Sequence, residues 1–218
     1  MNAHDAWEKI YQNREWGSYP TEHVIRFVAR NYYAAQREKI KILDFGCGMG
    51  AHTWYLAREG FGTYAFDISE TAIERLQARM EREHLHASMA VMDGCELLYD
   101  KDFFDAVIDN VSIQSNCMAD IQKMYRNVYE VIKPGGKLLT VVFGRETTGY
   151  GSGIKIEDGT YENITEGRLQ GIGCRHFFEE DELEQILRQC GFQDVVIEHV
   201  FYTDQGSVVS QLIAAAQK

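Results

Sequence analysis

The chain has 218 residues, with 22 Lys and Arg against 33 Asp and Glu, a net charge of −11, which is enough for one full hydrophobic core and short for two. No lysine and arginine cluster marks a phosphate-binding face, which disfavours a duplex or RNA partner and points to a small molecule, and no apolar run approaches the ~20 residues that cross a bilayer. The five cysteines, Cys47, Cys95, Cys117, Cys174 and Cys190, are odd in number and lack Cys-x-x-Cys or Cys/His zinc spacing, so a reduced, cytoplasmic chain without a metal is expected.

Residues 1–10 are polar and charged, unlike a secretory leader. Trp7, Tyr11, Trp16 and Tyr19 make the first twenty residues too aromatic for a disordered tail. They read either as a cap on the core or as a lid over a ligand. Val24, Phe27, Val28 and Tyr32 fall at helical spacing, so 21–33 is expected to be a helix, with His23 at its surface.

Ile40, Ile42, Leu43 and Phe45 then form a short apolar run that reads as a buried strand. Gly46, Gly48 and Gly50 remove every Cβ from the turn that follows, and residues 52–59 resume as a helix ended by Gly60. Such a turn lets main chain approach a ligand while the unpartnered first N–H groups of the helix point at it. The next strand, 63–67, ends on Asp67, which is 67 − 46 = 21 positions after the first glycine. A ribose-binding carboxylate is expected there. Gly46, Gly48 and Ala51 also satisfy the G-x-G-x-x-G/A dinucleotide fingerprint, which keeps a nicotinamide cofactor open on spacing. Asp44 argues against it, because a carboxylate there would repel a pyrophosphate. The same charge suits a ligand with an ammonium and a sulfonium, as in S-adenosylmethionine.

Thr71 to Glu74 has capping-box spacing and opens a helix reaching about residue 84, with Ile73, Leu76 and Met80 inward. Two further strands, 86–92 and 103–109, end at Asp93-Gly94 and Asp109-Asn110, the carboxyl ends at which open α/β sheets bind ligands. A helix over 120–132 is stopped by Lys133-Pro134-Gly135-Gly136, read as a turn, and 137–143 becomes strand five. Residues 144–175 hold eight glycines and no sustained period. They are expected to be an inserted substrate-lid loop without regular structure. A helix over 179–190 stops at Gly191, and 194–200 and 208–215 pair antiparallel across a short connection. The expected fold is α/β, a Rossmann-like doubly wound sheet of seven strands with the last antiparallel and helices on both faces. It forms one domain over 1–218, with an N-terminal helical cap over 1–35.

Asp44-Phe45-Gly46-Cys47-Gly48-Met49-Gly50, with Asp67, Asp93 and the later Lys-Pro-Gly-Gly, resembles the class I S-adenosylmethionine-dependent methyltransferases, from about Trp7 to the C-terminus. The resemblance implies methyl transfer to an O or N atom of a small acceptor, with S-adenosylhomocysteine as product. By resemblance, Tyr11 and Trp16 close over the cofactor. Asp44 reaches its ammonium, directly or through water, and Gly46, Cys47, Gly48 and Gly50 wall its amino acid part. Asp67 takes both ribose hydroxyls, Ile68 faces the adenine, and Asp93 accepts from the adenine amino group beside Gly94. Asp109 and Asn110 line the ledge near the sulfonium.

Beyond the resemblance, His176 is the candidate general base, weighed against a packed histidine in Arg-His-Phe-Phe. Tyr19, Gln114 and Tyr150 are candidate substrate walls, and Arg145, Arg168 and Arg175 are candidates to orient an anion. Asp109-Asn110-Val111-Ser112 lacks the D/N-P-P-Y signature that resembling adenine and glutamine methyltransferases use. No acids and histidine are arranged for the divalent ion of the catechol type. Two rivals stay open: a nicotinamide oxidoreductase, whose Y-x-x-x-K pattern Tyr129 and Lys133 match only by accident since Lys133 runs straight into Pro-Gly-Gly, and a non-catalytic cofactor binder.

Overall fold

The computed structural model describes residues 3–15 and 17–218. Helices α1 (Ala3–Asn13) and α2 (Glu22–Tyr32) precede β1 (Lys41–Phe45), and α3 (Ala51–Arg58), β2 (Gly62–Asp67), α4 (Glu70–Arg82), β3 (Ser88–Val91) and β4 (Phe104–Asn110) follow in alternation. Helix α5 (Met118–Val131) leads into β5 (Ile132–Phe143), then come the short strands β6 (Ile154–Glu157), β7 (Thr160–Glu162) and β8 (Arg175–His176). Helix α6 (Glu180–Cys190) and the hairpin β9 (Gln193–Asp204) and β10 (Ser207–Gln217) complete the chain.

The main sheet has seven strands in the order β3-β2-β1-β4-β5-β10-β9. Its first five strands pair in parallel, and β10 runs antiparallel to both neighbours. This is the expected α/β sheet, and its strand order reverses beside β1. That reversal puts the carboxyl ends of β1, β2 and β4 around one crevice. Apolar side chains cover both faces: Phe45, Phe66 and Leu138 pack with Tyr125 and Val128 of α5 and Leu183 of α6. Ile42, Ile108 and Leu139 pack with Val24 and Val28 of α2 and Leu56 of α3.

Several local expectations are corrected by contacts that no short window contains. The cap of α4 is Ser69, whose Oγ accepts from Ala72 N at 3.1 Å, two residues before the capping box read in the sequence. Thr71 does not cap because its hydroxyl donates to Glu8 of α1. Lys133 to Gly136 are not a free turn but the bulged start of β5, since Gly135 N donates to Lys218 O at 2.8 Å and Lys218 N to Gly136 O at 3.0 Å.

The 144–175 stretch is not devoid of regular structure. Strands β6, β7 and β8 form a second, three-stranded antiparallel sheet over its own small core of Tyr161, Ile164, Leu169 and Phe177. Strands of two to four residues are too short to show a period, so composition alone read them as loop. The hairpin strands also run on to a tight turn at Gln205-Gly206, leaving no 201–207 connection. No helix among the described residues is long and apolar enough to cross a membrane.

Candidate active site

A cavity of about 870 Å³ opens at the carboxyl ends of β1, β2 and β4, within the range of small-molecule sites. One side of it is the glycine turn. Gly46 and Gly48 have φ of +61° and +53°, and a Cβ would lie 1.8 Å from Ser112 Oγ at Gly46 and 2.6 Å from Tyr11 Oη at Gly48. The turn therefore carries glycine for two reasons at once: left-handed backbone, and close approach of the loop after β4 and of helix α1. Gly50 meets Leu76 of α4 in the same way, with a Cβ 2.1 Å from Cδ1.

Asp67 ends β2 on the cavity wall, 5% exposed. Its carboxylate accepts from Gly48 N at 2.8 Å and Ser69 N at 3.0 Å, one bond to each oxygen. Each oxygen keeps lone-pair capacity for a further donor, as two adjacent hydroxyls would supply. Burial, with help from Asp44, pushes its pKa up to about 6. Asp93, Gly94 and Ile68 line the same cavity, and Asp93 also opens a short turn by accepting from Cys95 N at 2.8 Å. Tyr11, Cys47, Asn110, Tyr19 and Gln114 line it too. Trp16 lies outside the described residues.

Two of the sequence-predicted acids stand behind this wall instead of on it. Asp44 is buried and accepts from Thr53 N at 2.9 Å and Thr53 Oγ1 at 2.6 Å. Asp109 accepts from Ser112 N, Ile113 N and, at 2.6 Å, Thr140 Oγ1, so it braces the loop after β4. Burial pushes both up to about 6, as it does Asp67. Three buried carboxylates thus concentrate negative potential at the strand tips, a field that favours a cation and opposes a pyrophosphate.

His176 and Tyr150 do not reach the cavity. His176 is fully buried, its Nδ1 2.7 Å from Thr160 Oγ1 and its Nε2 3.2 Å from Glu182 Oε2, with its ring against Phe178. It is the packed histidine of the alternative reading. Tyr150 packs edge-on against Tyr161 and Phe177 of the small sheet. Tyr129 and Lys133 are no dehydrogenase pair either, for Tyr129 packs on Phe192 and Lys133 is bound by Asp105 at 2.7 Å.

The imidazole that does line the cavity is His52, second residue of α3. Burial lowers its pKa to about 4, so it is neutral. Its Nε2 lies 3.3 Å from Thr21 Oγ1 and accepts from Thr21 N at 3.5 Å. Thr21 Oγ1 in turn donates to Asn110 Oδ1, which also meets His23 Nε2 at 2.7 Å. His23 is therefore partly buried against the β4 tip and not a surface residue. The only sequence signal for His52 is its place just after the glycines, where the motif assigns no side chain.

Residues 42–136 match the family model for a methyltransferase domain. The sterol 24-C-methyltransferase of Kluyveromyces lactis is 27% identical over 153 residues, 62% of this chain and 40% of that protein. The chain therefore spans less than half the length of that relative. Among solved structures, a methyltransferase of Methanosarcina mazei aligns with a TM-score of 0.70 at 23% identity, covering 87% of this chain and 96% of its own. Phosphoethanolamine N-methyltransferase 2 of Haemonchus contortus, in complex with S-adenosyl-L-methionine, also aligns at 0.70, with 19% identity over 99% of this chain and 56% of its own. The matched segment, which spans the glycine turn and the strand tips, is a methyltransferase domain, and the fold around it is that of S-adenosylmethionine-dependent methyltransferases.

Proposed function

We propose that the chain transfers the methyl group of S-adenosylmethionine to an O or N atom of a small-molecule acceptor, without nucleic acid or membrane as partner. The observation that carries this reading is Asp67, a buried carboxylate on the cavity wall beside a glycine turn into which no Cβ fits. When bound, the cofactor supplies an activated sulfonium methyl group. The chain's own residues then have to hold, align and dry. Asp67 accepts the ribose hydroxyls, Asp93 and Ile68 bound the base, and the main chain of Gly46 to Gly50 borders the amino acid part.

Alignment of a nucleophile with a methyl group at near-attack distance is a large contribution that a protein can make to such a displacement. The ordered Thr21, His52 and Asn110 at the β4 tip are suited to it. His52, whose Nε2 already accepts from Thr21 N, holds Thr21 against the β4 tip and so acts as a positioning residue on the cavity wall. The small sheet of β6, β7 and β8, with Leu169, Ile172 and Arg175 on the cavity, serves as the acceptor-side lid within one domain spanning 1–218. The five free cysteines suit a reducing cytoplasm.

Calorimetric titration with S-adenosylhomocysteine and, separately, NAD tests the cofactor. Saturable binding of the first and none of the second is expected, and the reverse would replace the reading with an oxidoreductase. A screen of small alcohols, phenols and amines that detects released S-adenosylhomocysteine then tests turnover.

A further inference from the structure

We propose that Arg175 and Gln114 form an anion subsite in the cavity, so that the methyl acceptor is a small molecule bearing a carboxylate or a phosphate. This rests on the methyltransferase reading and names the substrate class for the same site.

Arg175 stands on β8, lines the cavity, and is 4% exposed. Its Nη1 donates to the carbonyl of its own neighbour, Cys174, at 2.7 Å, and its guanidinium lies 4.9 Å from the centre of the Trp7 ring. Its buried Nε has no acceptor, and among the described residues no carboxylate pairs with it. Burial lowers its pKa to about 10, which still leaves it charged at neutral pH. A buried cation normally has its counter-ion in the protein. Here the volume beside it is the cavity.

The other two arginines marked in this segment are already neutralised. Arg145 is held by Asp158 at 2.8 Å and Glu179 at 3.0 Å. Arg168 is ion-paired with Asp204. Arg175 alone of the three is left with backbone and a ring.

Gln114 supplies the second donor. It is completely buried and lines the same cavity, in a turn over 113–115 that packs against β8. Phe143 N donates to its Oε1 at 2.5 Å, which fixes the amide with Nε2 as the remaining group, and that Nε2 has no partner. Two unsatisfied donors on adjacent elements, one of them cationic, call for one ligand group with several lone pairs. Carboxylate and phosphate both have them, and a guanidinium binds either with paired N–H bonds. A neutral acceptor would leave the charge of Arg175 uncompensated.

The test is calorimetry on the protein, with and without saturating S-adenosylhomocysteine, using matched probes: benzoate against benzamide, phenylacetate against phenylacetamide, and inorganic phosphate. The expected result is that at least one anion binds ten-fold or more tightly than its neutral counterpart, carboxylates and phosphate separating the two chemistries. Arg175→Met should abolish the preference while leaving S-adenosylhomocysteine affinity within three-fold. Arg175→Lys should keep part of it, and Gln114→Leu should weaken anion binding. Equal binding of amides and carboxylates with no phosphate binding overturns the subsite, a result the wild-type protein gives even if Arg175→Met does not fold. A loss of S-adenosylhomocysteine affinity in Arg175→Met also overturns it, since the guanidinium would then serve the cofactor's own carboxylate. Failure of wild-type protein to bind S-adenosylhomocysteine would sink the methyltransferase reading instead, and is read in a separate arm.

Discussion

At the tips of β1, β2 and β4, the buried charges Asp44, Asp67 and Asp109 each accept two or three hydrogen bonds from nearby backbone and hydroxyl groups. At β8 and the 113–115 turn, Arg175 and Gln114 are equally buried yet keep atoms with no partner. The first region is finished by the chain itself, and its acids are already aimed before any ligand arrives. The second is left for a ligand to complete. A preorganised wall suits the part of a reaction common to a whole family, while open donors suit the part peculiar to one acceptor.

The sharpest break of this contrast is Asp67→Asn. It removes a charged acceptor of two hydroxyl donors, each worth about 1.5–3 kcal/mol, so S-adenosylhomocysteine affinity should fall by about 100-fold or more by calorimetry, in a protein that still melts cooperatively. Gly46→Ala comes next. Its Cβ would lie 1.8 Å from Ser112 Oγ at a positive φ, and overpacking of this kind costs about 1–3 kcal/mol. Denaturant melts should show that loss, and Ser112→Gly in the same chain should restore part of it, though not the part due to backbone strain.

A smaller effect tests the charge state of Asp67. Hydroxyl donors need its ionised form, so S-adenosylhomocysteine affinity should weaken as pH falls below about 6, to which burial raises its pKa, by about ten-fold per pH unit once the acid is mostly protonated. The sign for stability is opposite. A carboxyl whose pKa is raised on folding takes up protons in the folded state first, so between about 6 and its ordinary value of 3.8 this group favours the fold as pH falls. Lost affinity in that window is therefore not unfolding driven by Asp67. His176→Ala gives the smallest effect on catalysis, with turnover unchanged at saturating substrate. Stability should nevertheless fall by about 1–3 kcal/mol in thermal or denaturant melts, because Thr160 and Glu182 lose a buried partner.

The alternation of apolar strands and amphipathic helices, the glycine turn and the acid at the end of β2 were legible in the residues alone, because each depends on neighbours within a few positions. The period of two or 3.6 residues and the bare backbone at Gly46 and Gly48 need no distant partner to be read. His176 and His52 were not legible in the same way. Both are histidines beside apolar residues, and only the packing of β8 against α6, and of α3 against Thr21, decides that one is sealed inside and the other faces the cavity.

Tertiary structure likewise decided the cap of α4, through Glu8 of α1, and the start of β5, through Lys218. It also decided which of three arginines keeps an uncompensated charge. A counter-ion is found or missed in three dimensions, between segments far apart in the chain, and no spacing along the sequence records that distance. Local periodicity and turn chemistry therefore determined the frame and the cofactor-side motif, while the pairing of buried charge, which defines the acceptor side, was settled only when the strands and the small sheet came together.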